Sequence, residues 1–164
     1  MVERSVVTHQ IFLSYASANA AAASWLCGAL ERHGAVCWMA PRDIPGGETW
    51  AAAIMQAIQD AEVFLLLFSL DSNASVQVLR EVDRAVHFKK RMLTLRIEDV
   101  KPDLGMDFYL ATTHWLDAFP EPLETQLPRI LEAIAAPRLA AISATGRKPT
   151  AATTLDALPL DQLV

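Results

Sequence analysis

The chain has 164 residues, 52% hydrophobic and 20% charged, a balance that supplies a core for one ordinary domain and excludes disorder over most of its length. The net charge of −5 lacks the basic surplus of a nucleic-acid binder. No apolar stretch approaches the ~20 residues that span a bilayer, so no membrane role is expected. Cys27 and Cys37 form no CxxC pair, which excludes zinc-ribbon and thioredoxin-type readings and suits a reducing setting. The opening Met1-Val2-Glu3-Arg4-Ser5 lacks the layout of a secretion signal, and a cytoplasmic location is expected.

Strand and helix patterns alternate along the chain. His9–Ser14 is a short apolar run with strand length. Ala18–His33 has helical spacing, with Ala22, Trp25, Leu26, Ala29 and Leu30 on one face and Gly34 as its stop. Ala35–Trp38 is a second strand. Pro41–Gly47, with two prolines and two glycines, is a loop. Glu48–Asp60 predicts a helix with Trp50, Ile54, Ala57 and Ile58 inward. Glu62–Phe68 is apolar throughout, as a central strand covered on both faces would be. Ser69–Ala74 reads as a turn, and Ser75 caps a helix to about Lys89 with Val78, Val82, Ala85 and Val86 as its stripe. Met92–Ile97 is a fourth strand, Glu98–Met106 a polar loop and Thr112–Leu116 a fifth strand. Pro122–Ala135 closes as a helix. Residues 137–164, with three prolines and no aromatic residue, read as a flexible linker to a further domain or a disordered end.

This order predicts an α/β, flavodoxin-like doubly wound five-stranded parallel sheet, strand order 2-1-3-4-5, with helices on both faces. Ligands of such sheets bind beyond the carboxyl ends of the strands, where the strand order reverses. Here that crevice lies between the first and third strands, bordered by the loops 14–19, 41–47 and 69–74. A phosphoacceptor would need an Asp where Ser69 stands and an acidic pair near Ser14. A flavin site would need a glycine in Ser14-Tyr15-Ala16-Ser17. No GxGxxG, GxxxxGK[ST] or GxSxG sequence occurs, and the four histidines lack metal-ligand spacing.

Four segments in this order resemble a bacterial Toll/interleukin-receptor (TIR) domain: Ile11–Ser17 (IFLSYAS), Trp38–Gly47 (WMAPRDIPGG), Ser75–Glu81 (SVQVLRE) and His114–Asp117 (HWLD). The resemblance spans about residues 9–135, which sets a TIR domain at 1–136. It implies one of two activities. Some TIR domains cleave NAD at the nicotinamide–ribose bond or cyclise the product, as in immune, antiviral or toxin-like signalling. Others only assemble, TIR to TIR, as adaptors or mimics. The family's catalytic glutamate falls on Glu81. NAD is then a substrate, and no cofactor is implied. The resemblance also implies self-association through the Pro41–Gly47 loop and helices.

One carboxylate suffices for this chemistry. Ordinary glycoside hydrolysis uses two, one of them to protonate the leaving group. Nicotinamide is already cationic in NAD and leaves neutral, so only the ribosyl cation needs a stabilising charge. The candidate substrate-binding residues are Ser14, Tyr15, Ala16 and Ser17 after the first strand, Arg42, Gly46 and Gly47 in the second-strand loop, Trp50, and Gln77. Arg42 would meet a phosphate, or instead pair with Asp43 or Glu48. Gly46 and Gly47 let the loop bend. Trp50 offers a ring, although its position one step inside a helix favours the core. Many NAD-cleaving members carry Trp four residues before the glutamate, where this chain has Gln77. That departure leaves a linear or a cyclic product open.

Overall fold

The computed structural model describes residues 10–135. Five strands form one parallel sheet in the order β2-β1-β3-β4-β5: β1 Gln10–Ser14, β2 Val36–Trp38, β3 Val63–Phe68, β4 Arg91–Arg96 and β5 His114–Asp117. The helices are α1 Ala20–Arg32, α2 Trp50–Asp60, the one-turn α3 Leu70–Asn73, α4 Val76–His87, α5 Leu104–Leu110 and α6 over 127–135. This is the predicted flavodoxin-like topology. The reading of a linker or tail at 137–164 lies outside the described residues.

Every residue of β3 is buried. The strand alternation sends Val63, Leu65 and Leu67 to one face, against Leu26 and Leu30 of α1 and Ile130 and Ile134 of α6. Phe64, Leu66 and Phe68 go to the other, against Ile54 and Ile58 of α2, Val78 and Val82 of α4, and Met106 and Leu110 of α5. On that second face Phe12 stacks between Trp38 and Phe64, with ring centroids 5.2 and 5.4 Å apart.

Two segments differ from the sequence expectation. The turn 69–74 contains α3, which Ser69 starts as a reciprocal capping box with Ser72. The expected loop 98–106 holds over 98–103 and then gives way to α5, capped by Asp103. Its spacing hides it: Met106 and Leu110 point inward, while Leu104 and Phe108 are 90% and 80% exposed. The first helix is preceded by a 3-10 turn at Ser17–Asn19 and the last by one at Leu123–Gln126. Gly34 ends α1 at φ +93° in a Schellman arrangement, with Ala35 N donating to Leu30 O and Gly34 N to Glu31 O.

Candidate active site

β1 and β3 are neighbours, although α1, β2 and α2 separate them in sequence, so the sheet has its reversal point between them. A cleft of about 1280 Å³ opens there on the α2/α4 face. Phe12 and Leu13 border it from β1, Trp50, Ile54 and Met55 from α2, Gln77 and Glu81 from α4, and Tyr109 from α5.

Glu81 is 7% exposed. It follows Val78 by one helical step of three, so it shares the buried stripe with Val82 and Ala85. Ser14, two residues after Phe12, points from the end of β1 to the same side of the sheet. Its hydroxyl donates to Glu81 Oε1 at 2.7 Å, and Gln77 Nε2, one turn earlier on α4, donates to Oε2 at 2.9 Å. Each carboxylate oxygen therefore has a fixed donor. Burial raises the Glu81 pKa above its ordinary value, and the two hydrogen bonds pull against that rise. The Tyr15 hydroxyl donates to Ala40 O and ties the first loop to the second. Burial and the nearby Glu81 both raise the Tyr15 pKa.

Among the residues expected at the site, Tyr15, Ala16, Ser17, Trp50, Gln77 and Glu81 border the cleft, and Ser14 reaches it through Glu81. Arg42, Gly46 and Gly47 do not border it. Arg42 lies on the outer side of its loop, where Nη2 donates to Glu31 Oε2 at 2.9 Å, to Asp43 Oδ2 at 2.7 Å and to Cys37 O at 2.8 Å. Asp43 in turn accepts from Met39 N at 2.9 Å. Of its two surface alternatives, Asp43 is the one used, together with Glu31 rather than Glu48. Gly47 has φ +87°, a conformation glycine favours, whereas Gly46 does not. Trp50 corrects the core expectation: it is 58% exposed, because the capping hydroxyl of Thr49 starts α2 at the cleft mouth and the first helical position faces outward. Ser69 also stays out of the cleft, its hydroxyl donating to Asn19 Oδ1 at 2.6 Å to lock the first and third loops together.

The sequence reading missed Met55, Arg80, Asp83, Arg84 and Tyr109. Tyr109 was hidden with α5. The three charged residues lie off the apolar stripe of α4, and nothing in the sequence marks that part of the helix as a wall of the cleft.

These features define a flavodoxin-like domain with a buried acid at its ligand crevice. The chain belongs to the TIR domain family, whose family model matches residues 11–131. A search of curated proteins returned no match to the sequence. Among solved structures, the chain is similar to the TIR domain of the Toll-related receptor TRR-2 from Hydra magnipapillata, at 18% identity and TM-score 0.63, covering 76% of this chain and 95% of that one. It is similar to the TIR domains of the activated Roq1 resistosome, at 16% identity and TM-score 0.62, covering 77% and 99%. It is also similar to the CMP N-glycosidase BcmB of Clostridium botulinum, at 15% identity and TM-score 0.54, covering 74% and 97%. At such identities these likenesses establish the fold.

Proposed function

We propose that this TIR domain cleaves the nicotinamide–ribose bond of NAD, with Glu81 as its catalytic residue. The observation that carries the reading is the Glu81 carboxylate, buried at the reversal point and gripped on both oxygens. A glutamate in that position is expensive to keep ionised unless a ligand uses the charge. An N-glycosidase among the similar folds agrees with this class of reaction.

In the proposed reaction the C1′–N1 bond breaks and its electron pair passes to the cationic ring, which leaves as neutral nicotinamide. The ribosyl cation left behind lies against the Glu81 carboxylate. Water adds to C1′ and releases a proton, giving ADP-ribose; attack by a ring nitrogen of the adenine instead gives a cyclic product. Ser14 and Gln77 hold the carboxylate in one orientation and so need no rearrangement as the charge develops. Tyr15 and Ser17 offer hydroxyls to the sugar, and the exposed Trp50 offers a ring to a base. Gln77 thus takes a different part from a stacking Trp: it orients the acid. Activity is expected to depend on assembly, as the resistosome of the similar TIR domains is an assembly.

The test is nicotinamide release by the purified chain at high concentration, beside Glu81→Ala. Wild-type release, with a loss of about 10²–10³ or more in the folded variant, supports the reading. Equal turnover by both removes Glu81 from the mechanism. A second reading, a TIR–TIR adaptor without catalysis, is favoured by the exposed Leu104 and Phe108 on α5, which offer apolar area to another chain. Concentration-dependent self-association with no release in the assembled state would select it.

A further inference from the structure

The cleft has an unused cation. Among the described residues that border it, the positive side chains are Arg80 and Arg84. Arg84 is taken: its Nη2 and Nε donate to Asp83 Oδ2 at 2.8 and 3.2 Å. The other oxygen of Asp83 accepts from the Tyr109 hydroxyl at 2.7 Å, so Asp83 is fully engaged as well. Arg42, the cation that the sequence offered for a phosphate, is held outside by Glu31, Asp43 and Cys37 O. Arg80 is exposed and has no hydrogen-bond or ion-pair partner among the described residues.

Its place on α4 adds to this. Arg80 stands one helical turn before Arg84, whose charge Asp83 already balances, so Arg80 is the cation this wall leaves for an anion. Arg80 also directly precedes Glu81. The wall therefore presents a buried negative group and, beside it, an outward positive one. A substrate with a cationic base and an anionic phosphate has one favourable orientation across that pair, with the glycosidic carbon at Glu81 and the phosphate outward. A guanidinium meets phosphate oxygens through two parallel N–H donors, which fixes direction as well as charge.

We propose that Arg80 is the phosphate-recognising residue of the cleft and makes it select phosphorylated nucleosides over the same nucleosides without phosphate. The proposal rests on the reading of the cleft as a nucleotide site and adds the group that sets its specificity.

The experiment compares wild type with Arg80→Gln on nicotinamide mononucleotide and nicotinamide riboside, which differ only by the phosphate. The ratio of kcat/KM for mononucleotide over riboside is expected to fall about tenfold in the variant. A merely structural role for Arg80 would lower both substrates together, and an unchanged ratio overturns the proposal. A second measurement needs no turnover: calorimetric binding of ADP-ribose to Glu81→Gln, with and without Arg80→Gln. A Kd about tenfold weaker without the guanidinium, in a chain whose wild type releases no nicotinamide, keeps the Arg80 assignment and removes the catalytic reading. Equal Kd values, or no ADP-ribose binding at millimolar concentration by either, overturns the assignment.

Discussion

At the scale of single residues, Glu81, the proposed catalytic group, carries a stability cost. Its folded pKa is raised by burial, while in the unfolded chain it returns to about 4.3. Below the unfolded pKa both states are protonated and nothing is lost. As pH rises toward the folded pKa, the unfolded state ionises first and gains, so the native state loses stability. Glu81→Gln removes this penalty. Its amide can accept from Gln77 and donate to the Ser14 oxygen, so its melting temperature, relative to wild type, is expected to climb between pH 4 and pH 7 in a thermal-unfolding series. In the proposed reaction the ionised form stabilises the ribosyl cation, so nicotinamide release is expected to fall on the acid side at a higher pH than an ordinary carboxylate gives. Ser14→Ala and Gln77→Ala each delete a bond that lowers this pKa. Both should move the acid limb of a pH–rate profile further upward, and a limb that stays in place would remove the orienting role. Glu81 itself was legible in the sequence through the Ser75–Glu81 motif. Its burial was less so: it sits at the edge of the stripe and looks like a boundary residue until Ser14 arrives from β1. The role of Gln77 was not legible at all, because nothing in the sequence says which acid its amide will meet.

At the scale of elements, capping and termination explain both what could be read and what could not. The long strands stood out as apolar runs and α1, α2 and α4 by their periodicity, and their ends fell within a few residues of expectation. The two unread helices are short. In α3, the Ser69 hydroxyl accepts from Ser72 N and Ser72 Oγ accepts from Ser69 N, a reciprocal pair that looks like turn chemistry in one dimension. Ser69→Ala breaks this box and the bond to Asn19 at a fully buried position. A loss of about 1–3 kcal/mol is expected in urea unfolding, larger than a solvent-facing cap would give. The end of α4 carries the opposite opportunity. Lys89 closes that helix at φ 57°, with its N–H bonded to Val86 O and Lys90 N to Ala85 O. A residue with a Cβ is strained there, so Lys89→Gly is expected to stabilise the chain by about 1 kcal/mol in the same assay. The exposed face of α5 was unreadable for a different reason. Its apolar pairs point both inward and outward, so no single stripe marks it as a helix.

At the scale of the whole molecule, the sheet separates two apolar layers, and the cleft lies on the side of the α2/α4 layer. Leu65 packs toward α1 and α6, whereas Leu66 packs toward α2 and α4. Truncating either to Ala should cost about 2–5 kcal/mol. Only Leu66→Ala is expected to disturb the seat of α4, and with it the grip on Glu81, so it should depress turnover beyond its effect on stability. Equal kinetics for the two variants, at a temperature where both are folded, would show that the layers are not independent. The six-residue β3 has a further consequence. It is bonded to β1 on one edge and to β4 on the other, while β2 and β5 each have a single neighbour. Deuterium should therefore enter the outer strands through small openings of the sheet. The amides of β3 should wait for the entire fold to come apart, so that their labelling rate serves as a built-in clock for complete unfolding.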